Sequence, residues 1–121
     1  MKFLSMLMLL VAAMFTTAHA QTNADAILGK WTNEDKTRVI EFVKIDSVYE
    51  AIIKEASDKT LVEKKQITGL QYAKNGYNGK VFLPKKGKSF PCTVKLNSNG
   101  SLELSAKAGF ISKSQTWTRV K

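Results

Sequence analysis

From Ile27 to Val120 apolar side chains recur at every second position in short runs, and no stretch carries a sustained helical stripe. That period of two is the signature of strands with one buried face. The runs span Ile27 to Asn33, Thr37 to Ile45, Val48 to Glu55, Gln66 to Ala73, Asn78 to Leu83, Ser89 to Leu96, Ser101 to Ala106 and Ser114 to Val120. In the third, Tyr49, Ala51 and Ile53 share one face while Glu50 and Lys54 take the other. In the second, Val39, Ile40, Phe42, Val43 and Ile45 place apolar groups on both faces. The breaks carry turn chemistry: Asp46-Ser47, Asn75-Gly76, Pro84-Lys85-Lys86-Gly87 and Asn97-Ser98-Asn99-Gly100. Proline presets one turn dihedral and glycine allows a positive one. Ala56 to Lys65 is the longest polar interval and reads as a loop or at most one helical turn. About eight short strands joined by hairpins predict an all-β fold, an up-and-down antiparallel barrel or a sandwich, in one domain.

The chain starts differently. Lys2 precedes an apolar run through Phe15, followed by Thr16-Thr17 and Ala18-His19-Ala20. A basic start, a short apolar centre and small residues before the cut predict a signal peptide, residues 1–20, cleaved after Ala20. The run is shorter than the roughly 20 apolar residues of a membrane span, so no transmembrane segment is expected after cleavage. The only cysteine, Cys92, is far from the cut, so no lipid anchor forms there. Residues 21–121 then form the single domain, outside the cytoplasm, periplasmic or secreted.

Cleavage also removes His19, the sole histidine. No remaining side chain has an unperturbed pKa near neutrality, which rules out Ser-His-Asp and Cys-His mechanisms and the usual zinc sites. No phosphate-binding glycine loop or EF-hand-like carboxylate run is present. A glycosidase-type pair drawn from Glu34, Asp35, Glu41, Glu50, Glu55, Asp58, Glu63 and Glu103 is formally possible. Most of these sit in turns or on outer faces, so no enzyme activity, metal or cofactor is expected. Cys92 cannot form an internal disulfide; alternating with Phe90, Val94 and Leu96, it reads as a small core hydrophobe.

The net charge of +9 invites an anionic partner. Yet Lys44, Lys54, Lys80, Lys95 and Lys107 alternate along strands and read as a solvated face that discourages edge pairing, which argues against nucleic acid. Only Lys64-Lys65 and the hairpin with Lys85, Lys86 and Lys88 form clusters. That hairpin is a candidate surface for anionic lipid, polysaccharide or an acidic protein. A monomer is expected.

Gly29-Lys30-Trp31 opens the first run and Trp117-Thr118-Arg119 lies in the last. In a closed barrel those strands are neighbours, so a guanidinium can cover an indole and plug one end. The arrangement resembles the structural signature of lipocalins and their calycin relatives, where it closes the barrel bottom. The alternative is that both tryptophans are ordinary core or surface aromatics. A wider resemblance rests on Ile27-Leu28-Gly29-Lys30-Trp31-Thr32, Ile67-Thr68-Gly69-Leu70, the stretch Gly79 to Lys88, and Gln115-Thr116-Trp117-Thr118-Arg119-Val120. Their order and spacing are similar to those of an exported bacterial family, domain of unknown function 2147. That resemblance implies a small lipocalin-like barrel without an established function. Leu83 stands where the family carries an acidic residue before the hairpin proline, and Phe82 and Phe90 stand where tyrosines are expected.

Two functional readings follow. In one, the barrel holds a small apolar or amphipathic ligand in the cell envelope, with Tyr49, Ala51, Ile53, Phe90, Cys92, Val94, Leu102 and Leu104 as walls. Tyr72 would orient its polar group; Tyr49, Ile53, Tyr72 and Phe90 are the candidate ligand residues. In the other, these side chains fill an eight-stranded interior completely, and the lysine-rich hairpin acts as an interaction surface.

Overall fold

A computed structural model of the chain describes residues 24–74 and 76–121. The leader with His19, and Asn75 of the expected turn, lie outside them. The described residues form a closed antiparallel barrel in which each strand pairs with the next and the last with the first. The strands are β1 (Gly29–Asn33), β2 (Arg38–Ile45), β3 (Val48–Ala56), β4 (Lys65–Ala73), β5 (Gly76–Leu83), β6 (Lys88–Leu96), β7 (Leu102–Ala108) and β8 (Ile111–Arg119). The barrel expected from the alternation is therefore present, and the sandwich is not.

Closure is made by pairing Trp31 with Arg119, Thr32 with Thr118 and Asn33 with Trp117. The Val120 amide extends the seam by donating to the Lys30 carbonyl at 3.0 Å. A closed sheet has no edge to offer a second chain, which matters for a chain that no internal disulfide staples.

Turn chemistry sets the register. Asp46 has a φ of 57°, left-handed backbone that joins β2 to β3 with the twist a two-residue hairpin needs. Gly87, at a φ of 64°, lets its amide return to the Leu83 carbonyl at 2.9 Å. The polar interval after β3 makes one 3-10 turn, Lys59–Leu61, capped by the Asp58 carboxylate on the Thr60 amide. Strand bounds differ from the sequence expectation by one to three residues, β5 starting two residues earlier and β7 ending two residues later. Ile27 belongs to a 3-10 turn, Ala24–Ile27, rather than to β1. The last strand starts at Ile111, because Ile111, Ser112 and Lys113 find partners in Ala108, Lys107 and Ala106.

The inward phase supplies one core of Ile40, Phe42, Ile53, Ile67, Leu70, Val81, Val94 and Leu102, each almost fully buried. Each such side chain contributes about 1.5–3 kcal/mol of burial. Among the described residues Gln66 is the one polar side chain buried with them, at 3 % exposure. It shares the inside with its neighbour Ile67 where the pairing of β3 with β4 shifts register. Such a bulge turns consecutive side chains toward the same region.

Candidate functional site

The two ends of the barrel differ in chemistry. At the end where β1 begins and β8 finishes, the 3-10 turn Ala24–Ile27 packs across the opening. Tyr49 donates a 2.5 Å hydrogen bond to the Asp25 carboxylate, and Tyr77 donates to the Ala24 carbonyl at 2.6 Å. Lys44 pairs with the same carboxylate at 3.3 Å. The bond from Tyr49, with Lys44 assisting, holds Asp25 below its usual pKa. Burial is the main cause raising both phenols, with Tyr77 pushed up to about 12.

The same turn is held from the seam side. Trp31 is fully buried, and its Nε1–H donates to the Ile27 carbonyl at 2.9 Å. The Arg119 guanidinium carbon lies 4.2 Å from the Trp31 ring centroid. Its nitrogens reach the Leu28 and Ala26 carbonyls at 2.8 and 2.7 Å. Gly29 has a φ of 115°, and a Cβ there would stand 3.0 Å from Arg119 Nη1. The glycine of the G-x-W triplet thus admits both a left-handed backbone and a closely seated guanidinium. This end is shut.

The opposite end is a mouth. A pocket of about 150 Å³ opens between the starts of β2, β4 and β8 and the ends of β5 and β7. Val81, Leu83, Leu104, Ala106 and Trp117 give it apolar walls, and Arg38, Gln66, Lys113 and Gln115 give it polar ones. Space exists because the inward positions that β7 contributes near the mouth are alanines, Ala106 and Ala108, and their β8 partners Lys113 and Ile111 reach toward solvent. Arg38 donates to Gln66 Oε1 at 2.8 Å, and the Gln66 amide nitrogen donates in turn to the Phe82 carbonyl. That relay fixes the orientation of a buried amide on the pocket wall.

Trp117 stands apart from Trp31. It is 2 % exposed, and its Nε1–H finds no hydrogen-bond partner among the described residues. A buried donor left unpaired costs about 1–3 kcal/mol. Here Trp117 lines a pocket that also carries two cationic side chains, Arg38 and Lys113, while no acidic residue lines it among the described residues.

The candidate ligand residues fall elsewhere. Tyr49 lies at the shut end, bound to Asp25, and half-exposed Tyr72 packs beside it, its ring 5.0 Å edge-on from Tyr77. Both border an open depression there, beside Ala24, Lys44, Asp46 and Gln71. Ile53 is in the core at 0 % exposure. Phe90 is half-buried, with Lys86 Nζ 6.0 Å from its ring centroid. The structure therefore does not gather these four into one site. Lys85, Lys86 and Lys88 project from the β5–β6 hairpin at the mouth end, all exposed. Arg38, Gln66, Lys113 and Gln115 are absent from the sequence expectation; for Gln115 and Lys113 the signal is a polar residue two and four positions before Trp117, on its face of β8, while Arg38 and Gln66 on β2 and β4 carry no such mark.

A profile of a family described as "Uncharacterized protein conserved in bacteria (DUF2147)" matches residues 29–119. The chain is similar in fold to a solved structure described as "Protein HP1028 from the human pathogen Helicobacter pylori belongs to the lipocalin family". The two share 21 % identity and a TM-score of 0.61, over 78 % of this chain and 83 % of that one. No curated protein matches the chain.

Proposed function

The chain belongs to this DUF2147 family, and on that footing we propose that it is a binding protein of the cell envelope whose mouth pocket takes a small apolar molecule bearing an anionic group. The reading rests on one observation above others: Trp117, whose buried Nε1–H has no partner among the described residues, lines a pocket that also presents Arg38 and Lys113. A carboxylate or phosphate oxygen accepting from the indole would satisfy the donor, and the two cations would balance its charge. The apolar remainder would rest on Val81, Leu104 and Ala106. At about 150 Å³ the pocket resembles cavities that hold a single benzene ring. A ring-sized carboxylate or a short acyl chain therefore fits better than a long lipid. An apolar groove lined by Leu83, Lys86, Ala106, Ala108, Ile111 and Lys113 adjoins the pocket and gives a longer tail an exit.

No reaction is assigned, because a fold by itself implies no activity. Export is part of the same proposal: with the leader Met1 to Ala20 removed, the barrel would work in the periplasm or beyond. The test is a titration of the purified protein with benzoate, hexanoate and hexanol, followed by tryptophan emission and calorimetry. The acids should saturate one site, hexanol should bind at least about tenfold more weakly, and Lys113→Ser should erase the difference. Equal binding of hexanol and hexanoate, or no saturable binding to wild type, would reject the reading.

A further inference from the structure

The mouth end carries the most exposed large apolar side chains among the described residues. Phe110 has a relative exposure of 110 % and its neighbour Ile111 one of 61 %. They stand at the tip of the β7–β8 turn, where Gly109 takes a φ of 66° and the chain reverses within two residues. A lone exposed hydrophobe needs no explanation. Two consecutive ones at a protruding tip, one of them wholly outside the protein, are a different matter.

Their surroundings are basic. Lys107 and Lys113 flank the tip on its own strands, and the groove shared by Ile111, Lys113 and Lys86 links it to the lysine-rich hairpin. From residue 64 to residue 121 the sequence holds twelve lysines and arginines against a single carboxylate, Glu103. That glutamate sits opposite Lys95 on β6, toward the shut end. Glu34 and Asp35 lie across β8, against Ser114 and Thr116, and bound the basic face on that side.

We propose that this tip docks the barrel, mouth first, on an anionic lipid bilayer, with Phe110 and Ile111 entering the headgroup region and the lysines meeting lipid phosphates. An aromatic and a branched aliphatic on a convex tip match the interfacial layer, where such side chains settle without needing a shaped partner. Lysines keep their charged heads at phosphate level while their stems cover apolar surface. Insertion of a small apolar patch is weak alone, and so is attraction to a charged surface; the two together make a stable anchor. The inference does not depend on what the pocket holds.

Flotation of the purified protein with vesicles tests it. The protein should float with phosphatidylcholine and phosphatidylglycerol mixed in roughly equal parts, and not with phosphatidylcholine alone. Phe110→Ser with Ile111→Ser should weaken partitioning about tenfold or more, as should Lys85→Ser with Lys86→Ser and Lys88→Ser. Because these side chains lie outside the core, both variants should melt near the parent. Phe110→Trp should shift its emission to the blue when anionic vesicles are added, a readout that a merely electrostatic contact would not move. Binding indifferent to Phe110 and Ile111, with lysine-dependent binding to heparin in its place, would show a polyanion patch and overturn the proposal. So would dimerisation abolished by Phe110→Ser, or no flotation with either vesicle.

Discussion

Arg119 covers Trp31 and ties the chain ahead of it: the guanidinium lies 4.2 Å from the indole centroid while donating to the carbonyls of Leu28 and Ala26. One side chain on the last strand thus holds the first strand, the turn that closes the barrel, and the tryptophan beneath. The planar fork is what makes the three contacts compatible, because it can stack and donate in its own plane at once.

Arg119→Ala should lower stability by about 2 kcal/mol, the cation–π contact and the charge-assisted hydrogen bonds being lost together. For a domain of this size that corresponds to a fall in Tm of roughly 8–16 °C. Arg119→Lys should recover less than half, since an ammonium has no plane to stack and no fork to span two carbonyls. Urea unfolding of both variants, read at a constant m-value, checks the ranking; recovery by lysine to the parent level would contradict the stacking account.

The shut end should also loosen in acid. Asp25 is held below the ordinary aspartate value of 3.8, first by the hydrogen bond from Tyr49 and then by Lys44. A carboxylate depressed in the folded state contributes stability that is present above its unfolded pKa and lost as pH falls through the folded one. The loss therefore begins near pH 4 and is complete below the depressed value. Asp25→Asn should remove this part of the slope and be less stable than the parent at neutral pH, with the two converging in acid. Melting curves taken from pH 7 down to about pH 2 would show whether they converge.

What the sequence displays is periodicity, and periodicity is a property of neighbours along a strand. Strand count, turn positions and the barrel itself follow from alternation interrupted by Asp46-Ser47, Pro84 to Gly87 and Asn97 to Gly100. The pairing of the G-x-W triplet with the final arginine is visible as well, because closure makes first and last strands adjacent. The pocket is not. It depends on which inward positions are small, Ala106 and Ala108, and on which polar groups line the mouth, Arg38, Gln66, Lys113 and Gln115. The alternation stops at Ala106, and Lys113 precedes the span it marks for the last strand. Gln66 enters the core through a bulge, which shifts the phase on which any reading by alternation relies. Tyr49 has the position of a pocket wall in its strand, but its partner, Asp25, lies in a turn with no strand pattern to announce it.

Gly79 marks a contact between strands that no side chain survives. A Cβ at this position would lie 2.8 Å from the Thr68 carbonyl oxygen and 2.9 Å from Leu70 Cα. Both are backbone atoms of β4, where its pairing with β5 shifts register between Thr68 and Gln71. Gly79→Ala should force these strands apart and cost about 2–4 kcal/mol. Alanine at Gly87, whose Cβ would meet nothing within 4 Å, should act only through its positive φ and cost about 1 kcal/mol. Amide exchange of Thr68, Gln71 and their β5 partners Lys80 and Asn78 should accelerate in the first variant alone.

Cys92 is the free thiol of the barrel, and its position protects it from reaction. The thiol is 4 % exposed on β6, opposite Gly79 and Ala106, and burial pushes its pKa up to about 11. Only the thiolate attacks disulfides and thiol reagents, so the folded protein should be inert toward an aromatic disulfide at pH 8. Reaction should then proceed at the rate of unfolding and rise in step with urea. Rapid labelling of the native protein without urea would contradict the burial. The sign of the linked stability follows from the same shift. A thiol raised in the folded state favours folding fully below its ordinary value of 9.0 and loses that contribution as pH climbs towards about 11. Cys92→Ala should therefore flatten the alkaline limb of the stability curve. Cys92→Ser, burying a hydroxyl among apolar neighbours, should be the less stable of the two by about 1 kcal/mol.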